Sequence, residues 1–168
     1  MCSWSGSLIV GSMISVSNVL LGAYVRNGLI DKANALHFQT LEKGGCPNYK
    51  TWQILAEGSV KSGKMEKAVD ALKNGFSLLK TCNWRPSESV LMAIAEHFEK
   101  KGNVEDAIQF LKDIRQWGLA SLPLYKLFLR MQLSARMPAV DILKMMEVDN
   151  MELDDETSAL GQALKQST

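Results

Sequence analysis

Apolar positions along this 168-residue chain recur three and four residues apart, and the stripes they form come in pairs separated by a short polar turn. The first stripe of each pair reads Val19, Leu20, Leu21 and Tyr24, then Trp52, Ile54, Leu55 and Val60, then Leu91, Ile94, Ala95 and Phe98. The second reads Leu36, Phe38 and Leu41, then Leu72, Phe76 and Leu79, then Ile108, Phe110, Leu111 and Ile114. Between them stands one recurring turn: Asn27-Gly28-Leu29-Ile30-Asp31-Lys32-Ala33, Ser62-Gly63-Lys64-Met65-Glu66-Lys67-Ala68, and Lys101-Gly102-Asn103-Val104-Glu105-Asp106-Ala107. Its glycines lie 35 and 39 residues apart. No segment alternates with the period of a strand, so the pattern predicts an all-α chain built from repeated helical hairpins.

Each turn position has a physical reading. Glycine just past a helix takes the left-handed conformation, the apolar residue two positions on packs the turn, an acid opens the next helix, and alanine lets two helices approach closely. Units close on Gly44-Gly45-Cys46-Pro47, Asn83-Trp84-Arg85-Pro86 and Trp117-Gly118-Leu119-Ala120-Ser121-Leu122-Pro123. A fourth, eroded copy carries Tyr125, Leu127, Phe128 and Leu133, a turn near Arg136 with Pro138 in place of the glycine, and Val140, Ile142, Leu143 and Met146. The expected organisation is an irregular segment over 1–13, an array over 14–153 in copies 14–48, 49–87, 88–121 and 122–153, and a final helix or tail over 154–168.

Charge changes this picture little. The net charge of +1 argues against a strong generic polyanion binder. Residues 49–87 nevertheless hold seven Lys/Arg against three Asp/Glu, which directs any polyanion contact toward the first half. Three cysteines form no Cys-x-x-Cys and suit incidental thiols, while His37 and His97 stand alone on helices and read as structural. From Met1 to Val25 there is no charged side chain. Its Ser, Gly and Asn content, the lack of an Arg-rich amphipathic pattern and its overlap with the first repeat favour neither a membrane span nor a transit peptide, and the array starts abruptly, as if an upstream stretch were missing.

Two chemical motifs dissolve on inspection. Gly58-Ser59-Val60-Lys61-Ser62-Gly63-Lys64-Met65 imitates a phosphate-binding loop but ends in Met where a hydroxyl must hold magnesium, and it follows a helix. The acidic run Glu147, Asp149, Glu152, Asp154, Asp155, Glu156 lacks the glycine and spacing of a calcium loop. No nucleophile, base and oxyanion set emerges, so neither an enzyme nor a metal, cofactor or small-molecule substrate is expected.

The hairpin of about 35 residues, with Gly five before Ala at the turn and Pro47 one before the end of the unit at Asn48, resembles the pentatricopeptide repeat, particularly the pure-length class of plant organelle proteins. The resemblance implies a right-handed α-solenoid of about four hairpins that binds single-stranded organellar RNA, one base per repeat, in mitochondrial RNA metabolism or translation. It also implies base-reading pairs: Asn18 with Asn48, Gln53 with Ser87, Met92 with Leu122, and Lys126 opposite Asp154. The Asn pair resembles a pyrimidine reader, whereas Met92 with Leu122 offers no hydrogen-bonding group. Independently of the family, Arg26, Lys61 and Lys100 each stand two residues before a turn glycine, which suits a phosphate backbone but equally suits the negative end of a helix dipole. Ser15, Lys50 and Ser89 replace the apolar residue that flanks a bound base in the family, and about four nucleotides give little specificity. A protein-binding scaffold, for example on an organellar ribosome, is the alternative.

Overall fold

The computed structural model describes residues 7–135 and 142–167. Among them lie nine α-helices, one 3-10 turn and no strand: α1 (Ser7–Arg26), α2 (Ile30–Glu42), α3 (Tyr49–Lys61), α4 (Met65–Phe76) with a 3-10 turn at Ser77–Lys80, α5 (Glu88–Lys101), α6 (Val104–Gln116), α7 (Leu122–Ala135), α8 (Ile142–Val148) and α9 (Asp155–Gln166). Helix α1 begins at Ser7, inside the segment expected to be irregular, because nothing between Ser7 and Ile14 forces a helix to stop. The expected turn near Arg136 lies outside the described residues.

The recurring turn is the same object three times. Gly28, Gly63 and Gly102 have φ of 71°, 71° and 65°. At the first, the Gly28 and Leu29 amides return to the carbonyls of Val25 (3.0 Å) and Tyr24 (2.9 Å), and Gly63 with Lys64 and Gly102 with Asn103 repeat the pattern. Both bonds satisfy helix-end carbonyls, and the left-handed residue they require explains the glycine. The three turn alanines, Ala33, Ala68 and Ala107, are fully buried where the paired helices meet. The longer interval of the second copy is taken up by the 3-10 turn after α4.

The chain divides between Pro86 and Ser87 into two compact units, one residue from the junction expected between the second and third copies. In the first unit α1 pairs with α2, α3 pairs with α4, and α3 packs on both helices of the first hairpin. That last contact is close: a Cβ built at Gly58 would lie 2.6 Å from both Val25 methyls and 3.2 Å from Ile30 Cδ1. Gly75 is similarly filled, its missing Cβ standing 2.7 Å from the ring of the buried Trp84. In the second unit α5 packs on α6 and α7, and α7 also contacts α6, α8 and α9, so Leu124, Tyr125, Leu127, Phe128 and Leu129 of α7 are all buried.

The first hairpin departs from the apolar stripes. Helix α2 buries Ile30, Ala33, His37 and Thr40 and leaves Phe38 63% and Leu41 38% exposed, while α1 buries Ile14, Ser17, Asn18 and Leu21 and turns out Val19 and Leu20. Polar groups occupy this interface because they satisfy one another: Thr40 Oγ1 donates to the Leu36 carbonyl at 2.8 Å, with Ser17 Oγ 2.9 Å from it. His37 stacks edge-on against Trp52 at 5.1 Å, and burial lowers its pKa. Cys82 is a half-buried free thiol, as an incidental cysteine would be. No helix among the described residues is long and apolar enough to cross a membrane.

Candidate functional site

Asn18, in the middle of α1, and Asn48, the residue that opens α3, come together across the hairpin junction. Asn48 has extended backbone and caps α3: its Oδ1 accepts from the Thr51 amide at 3.2 Å, while its own N–H donates to Thr51 Oγ1 at 3.1 Å. This reciprocal arrangement satisfies two amides at a helix start. Asn18 Nδ2 donates to Asn48 Oδ1 at 3.0 Å, and Thr51 Oγ1 donates to Asn18 Oδ1 at 2.8 Å. Asn18 is buried, 8% exposed, so the half-buried Asn48 is the more accessible member.

The other expected positions divide. Gln53 is half-buried on α3 and donates to Glu57 Oε1 at 3.0 Å along its own helix. Ser87, exposed at the start of α5, lies with its Oγ 3.2 Å from Ser89 Oγ. Met92 and Leu122 are half-buried and apolar. Lys126 on α7 pairs with Asp154, as the resemblance implied, and with Glu156 at 2.8 Å. Asp154 caps α9 through Thr157, whose N–H and hydroxyl donate to Asp154 Oδ1 at 2.9 and 2.6 Å. Lys126, with help from Thr157, pulls the Asp154 carboxyl down to about 2. Asp154 and Thr157 thus repeat the side-chain half of the Asn48 and Thr51 cap in the second unit. The threonines were missed in the sequence, although Asn-x-x-Thr and Asp-x-x-Thr before helices are readable capping signals.

Arg26, Lys61 and Lys100 are exposed in the last turns of α1, α3 and α5, without an ion-pair partner among the described residues. Each follows Asn18, Gln53 or Met92 by eight residues, which places the cation about 12 Å along the same helix from the base-reading position. The basic excess of residues 49–87 is partly neutralised, since Lys64 and Lys67 pair with Asp31 at 2.6 and 3.3 Å and hold that carboxyl below its ordinary range. Lys64 therefore serves an ion pair between turns, and Gly58 lies buried inside a helix, so the imitation phosphate loop has neither its loop nor its lysine.

Half of the acidic run, namely Asp149, Asp154 and Glu156, is engaged by side chains of the same unit. Asp149 accepts from Arg115 Nε and Nη2, both at 2.8 Å, and from the Tyr125 hydroxyl. Arg115 keeps the Asp149 carboxyl below its usual range, while burial and the neighbouring carboxylate raise the Tyr125 phenol. No group of three or more His, Cys, Asp or Glu among the described residues is placed to hold a metal ion.

A family model described as PPR repeat matches residues 15–45, which hold the α1–α2 hairpin with its Gly28 turn. A pentatricopeptide repeat-containing protein of Arabidopsis thaliana is 56% identical over 138 residues, 82% of this chain and 28% of the relative. The large ribosomal subunit protein mL101 (rPPR4) of the same plant is 30% identical over 88% of this chain and 30% of its own length. Further Arabidopsis relatives carry the word mitochondrial in their names. The solved structure of pentatricopeptide repeat protein PPR10 in complex with an 18-nt psaJ RNA element aligns over 91% of this chain and 22% of that one, at 18% identity and a TM-score of 0.48. The chain spans less than a third of the length of these curated relatives. With its glycine turns, buried turn alanines and 56% identity to such a relative, the chain belongs to the pentatricopeptide repeat family.

Proposed function

We propose that this chain is a non-catalytic single-stranded RNA-binding segment of a mitochondrial RNA-processing or translation protein. The observation that carries the reading is the Asn18–Asn48 pair, two carboxamides drawn from different hairpins and held 3.0 Å apart. A carboxamide offers both donors and acceptors to a Watson–Crick edge, which single-stranded RNA leaves open. Arg26 and Lys61 on the same unit, and Lys100 on the other, supply cations for phosphates, which position the strand without specifying it. The mitochondrial placement rests on the names of relatives.

The test is a titration with oligonucleotides varied at single positions, comparing the parent with two variants. Changing Arg26, Lys61 and Lys100 together to Gln weakens binding and lowers the salt slope by about 2, at about 0.7 per lost contact on a single strand, while base preference survives. Changing Asn18 and Asn48 to Ala flattens preference at one nucleotide, with about 1 kcal/mol of stability lost through the cap. An unchanged salt slope in the first variant reduces the cations to solvated surface.

A second reading has its own support. One relative bears the name of a large ribosomal subunit protein, and α1 exposes Val16, Val19 and Leu20, 59%, 69% and 46% exposed, an apolar face suited to a protein partner. Failure of every oligonucleotide to bind transfers the function to that face.

A further inference from the structure

Asn18 and Asn48 can read a base only if their amide groups keep one orientation, and a residue outside the pair determines which. Resting on the RNA-binding reading, we propose that Thr51 is the positioning residue of this reader, fixing both carboxamides so that the pair turns N–H donors rather than oxygens toward its ligand.

The orientation starts from one backbone atom and is held at Asn18 by the Thr51 hydroxyl. The Thr51 N–H can only donate, so the Asn48 atom it meets at 3.2 Å is the oxygen. The Asn18 atom lying 3.0 Å from that oxygen must then be the amide nitrogen. The other Asn18 terminal atom is therefore an acceptor, and it receives the Thr51 hydroxyl at 2.8 Å. That hydroxyl is free to donate there because its lone pair is engaged by the Asn48 N–H at 3.1 Å, and the competing Asn48 oxygen is farther off, at 3.3 Å. The cycle closes with every donor facing an acceptor. Flipping Asn48 would set its amide nitrogen against the Thr51 N–H and the Asn18 amide nitrogen, and flipping Asn18 would set its oxygen against the Asn48 oxygen, both beside a threonine only 2% exposed.

Both oxygens are thereby occupied internally, and the Asn48 amide nitrogen is left with no partner among the described residues. A ligand at this position must bring acceptors, such as the adjacent N3 and O2 of cytosine or a carbonyl of uracil. The second unit shows what the threonine does when no reader is attached: Thr157 gives both its N–H and its hydroxyl to Asp154, which is engaged by Lys126. In the first unit the same hydroxyl reaches past the cap to Asn18. Where the third copy has Val90 in this place, the preceding Ser87 makes no side-chain cap.

The experiment compares Thr51→Val, Thr51→Ser and Thr157→Val with the parent, measuring base preference at the single nucleotide that the Asn18/Asn48→Ala variant identifies, together with melting temperature. Thr51→Val keeps the backbone N–H that orients Asn48 but takes the donor from Asn18 Oδ1, so the Asn18 carboxamide is no longer held at both ends and the preference of about fivefold or more expected of one specified base falls below about twofold, while overall affinity changes by less than about threefold. Thr51→Ser restores the hydroxyl and the preference. Thr157→Val lowers the melting temperature comparably and leaves the preference intact, separating positioning from mere capping. Preference retained in Thr51→Val overturns the role of Thr51 while leaving RNA binding in place. Absence of RNA binding in the parent overturns both.

Discussion

Gly58→Ala tests the packing of α3 on the first hairpin through a change of sign. In an exposed helix interior, replacing Gly by Ala stabilises by about 1 kcal/mol, since the backbone loses less entropy on folding. Here the added methyl would lie 2.6 Å from both Val25 methyls and 3.2 Å from Ile30 Cδ1, well inside the 3.5 to 4 Å of ordinary contact. Val25 is β-branched and its χ1 is stiff in a helix, so relief requires α1 and α3 to separate. Overpacking of this kind costs about 1–3 kcal/mol, which outweighs the propensity gain and leaves a net loss of up to about 2 kcal/mol. Thermal and urea unfolding followed by circular dichroism read the change. The companion Val25→Ala decides the cause: in that background only the contact with the flexible end of Ile30 remains, and Gly58→Ala becomes neutral to stabilising, by up to about 1 kcal/mol. A Gly58→Ala protein more stable than the parent with Val25 present would refute the close approach.

Three further outcomes follow from single sites. Gly63→Val destabilises by more than about 1 kcal/mol, because a β-branched residue is strained at φ of 71°, and an unchanged melting temperature would refute the turn assignment. His37 is buried with a lowered pKa, so the unfolded chain binds the extra proton first; stability present above about pH 6.5 declines as pH falls through the lowered pKa, and His37→Gln flattens that dependence in pH-resolved denaturation. Asp149→Ala leaves Arg115 and Tyr125 without their shared acceptor and costs about 1–3 kcal/mol by urea unfolding; in the parent, this carboxylate's contribution is present above the ordinary Asp range and is lost as pH drops through its lowered pKa.

What the sequence made legible was whatever depends on local conformation. Gly28, Gly63 and Gly102 are required by positive φ, and the alanine five residues later is required by helix contact, so spacing alone placed three hairpins. The family resemblance also paired Asn18 with Asn48 and Lys126 with Asp154, and the structure brings each pair into contact. The face of α2 was not legible by hydrophobicity: Thr40 and His37 are buried through partners on α1 and α3, and Phe38 is displaced outward. Likewise, Gly58 and Gly75 owe their identity to Val25, Ile30 and Trp84, contacts that no local pattern encodes. Thr51 was readable as a cap but not as a partner of Asn18, a residue 33 positions away.

Electrophoretic titration of the chain with single-stranded homopolymer RNAs at two salt concentrations tests the central claim most directly. The account predicts binding that favours pyrimidine over purine polymers and weakens as salt rises, in proportion to a few phosphate contacts. Equal retention of all four polymers, or no retention at low salt, would contradict it.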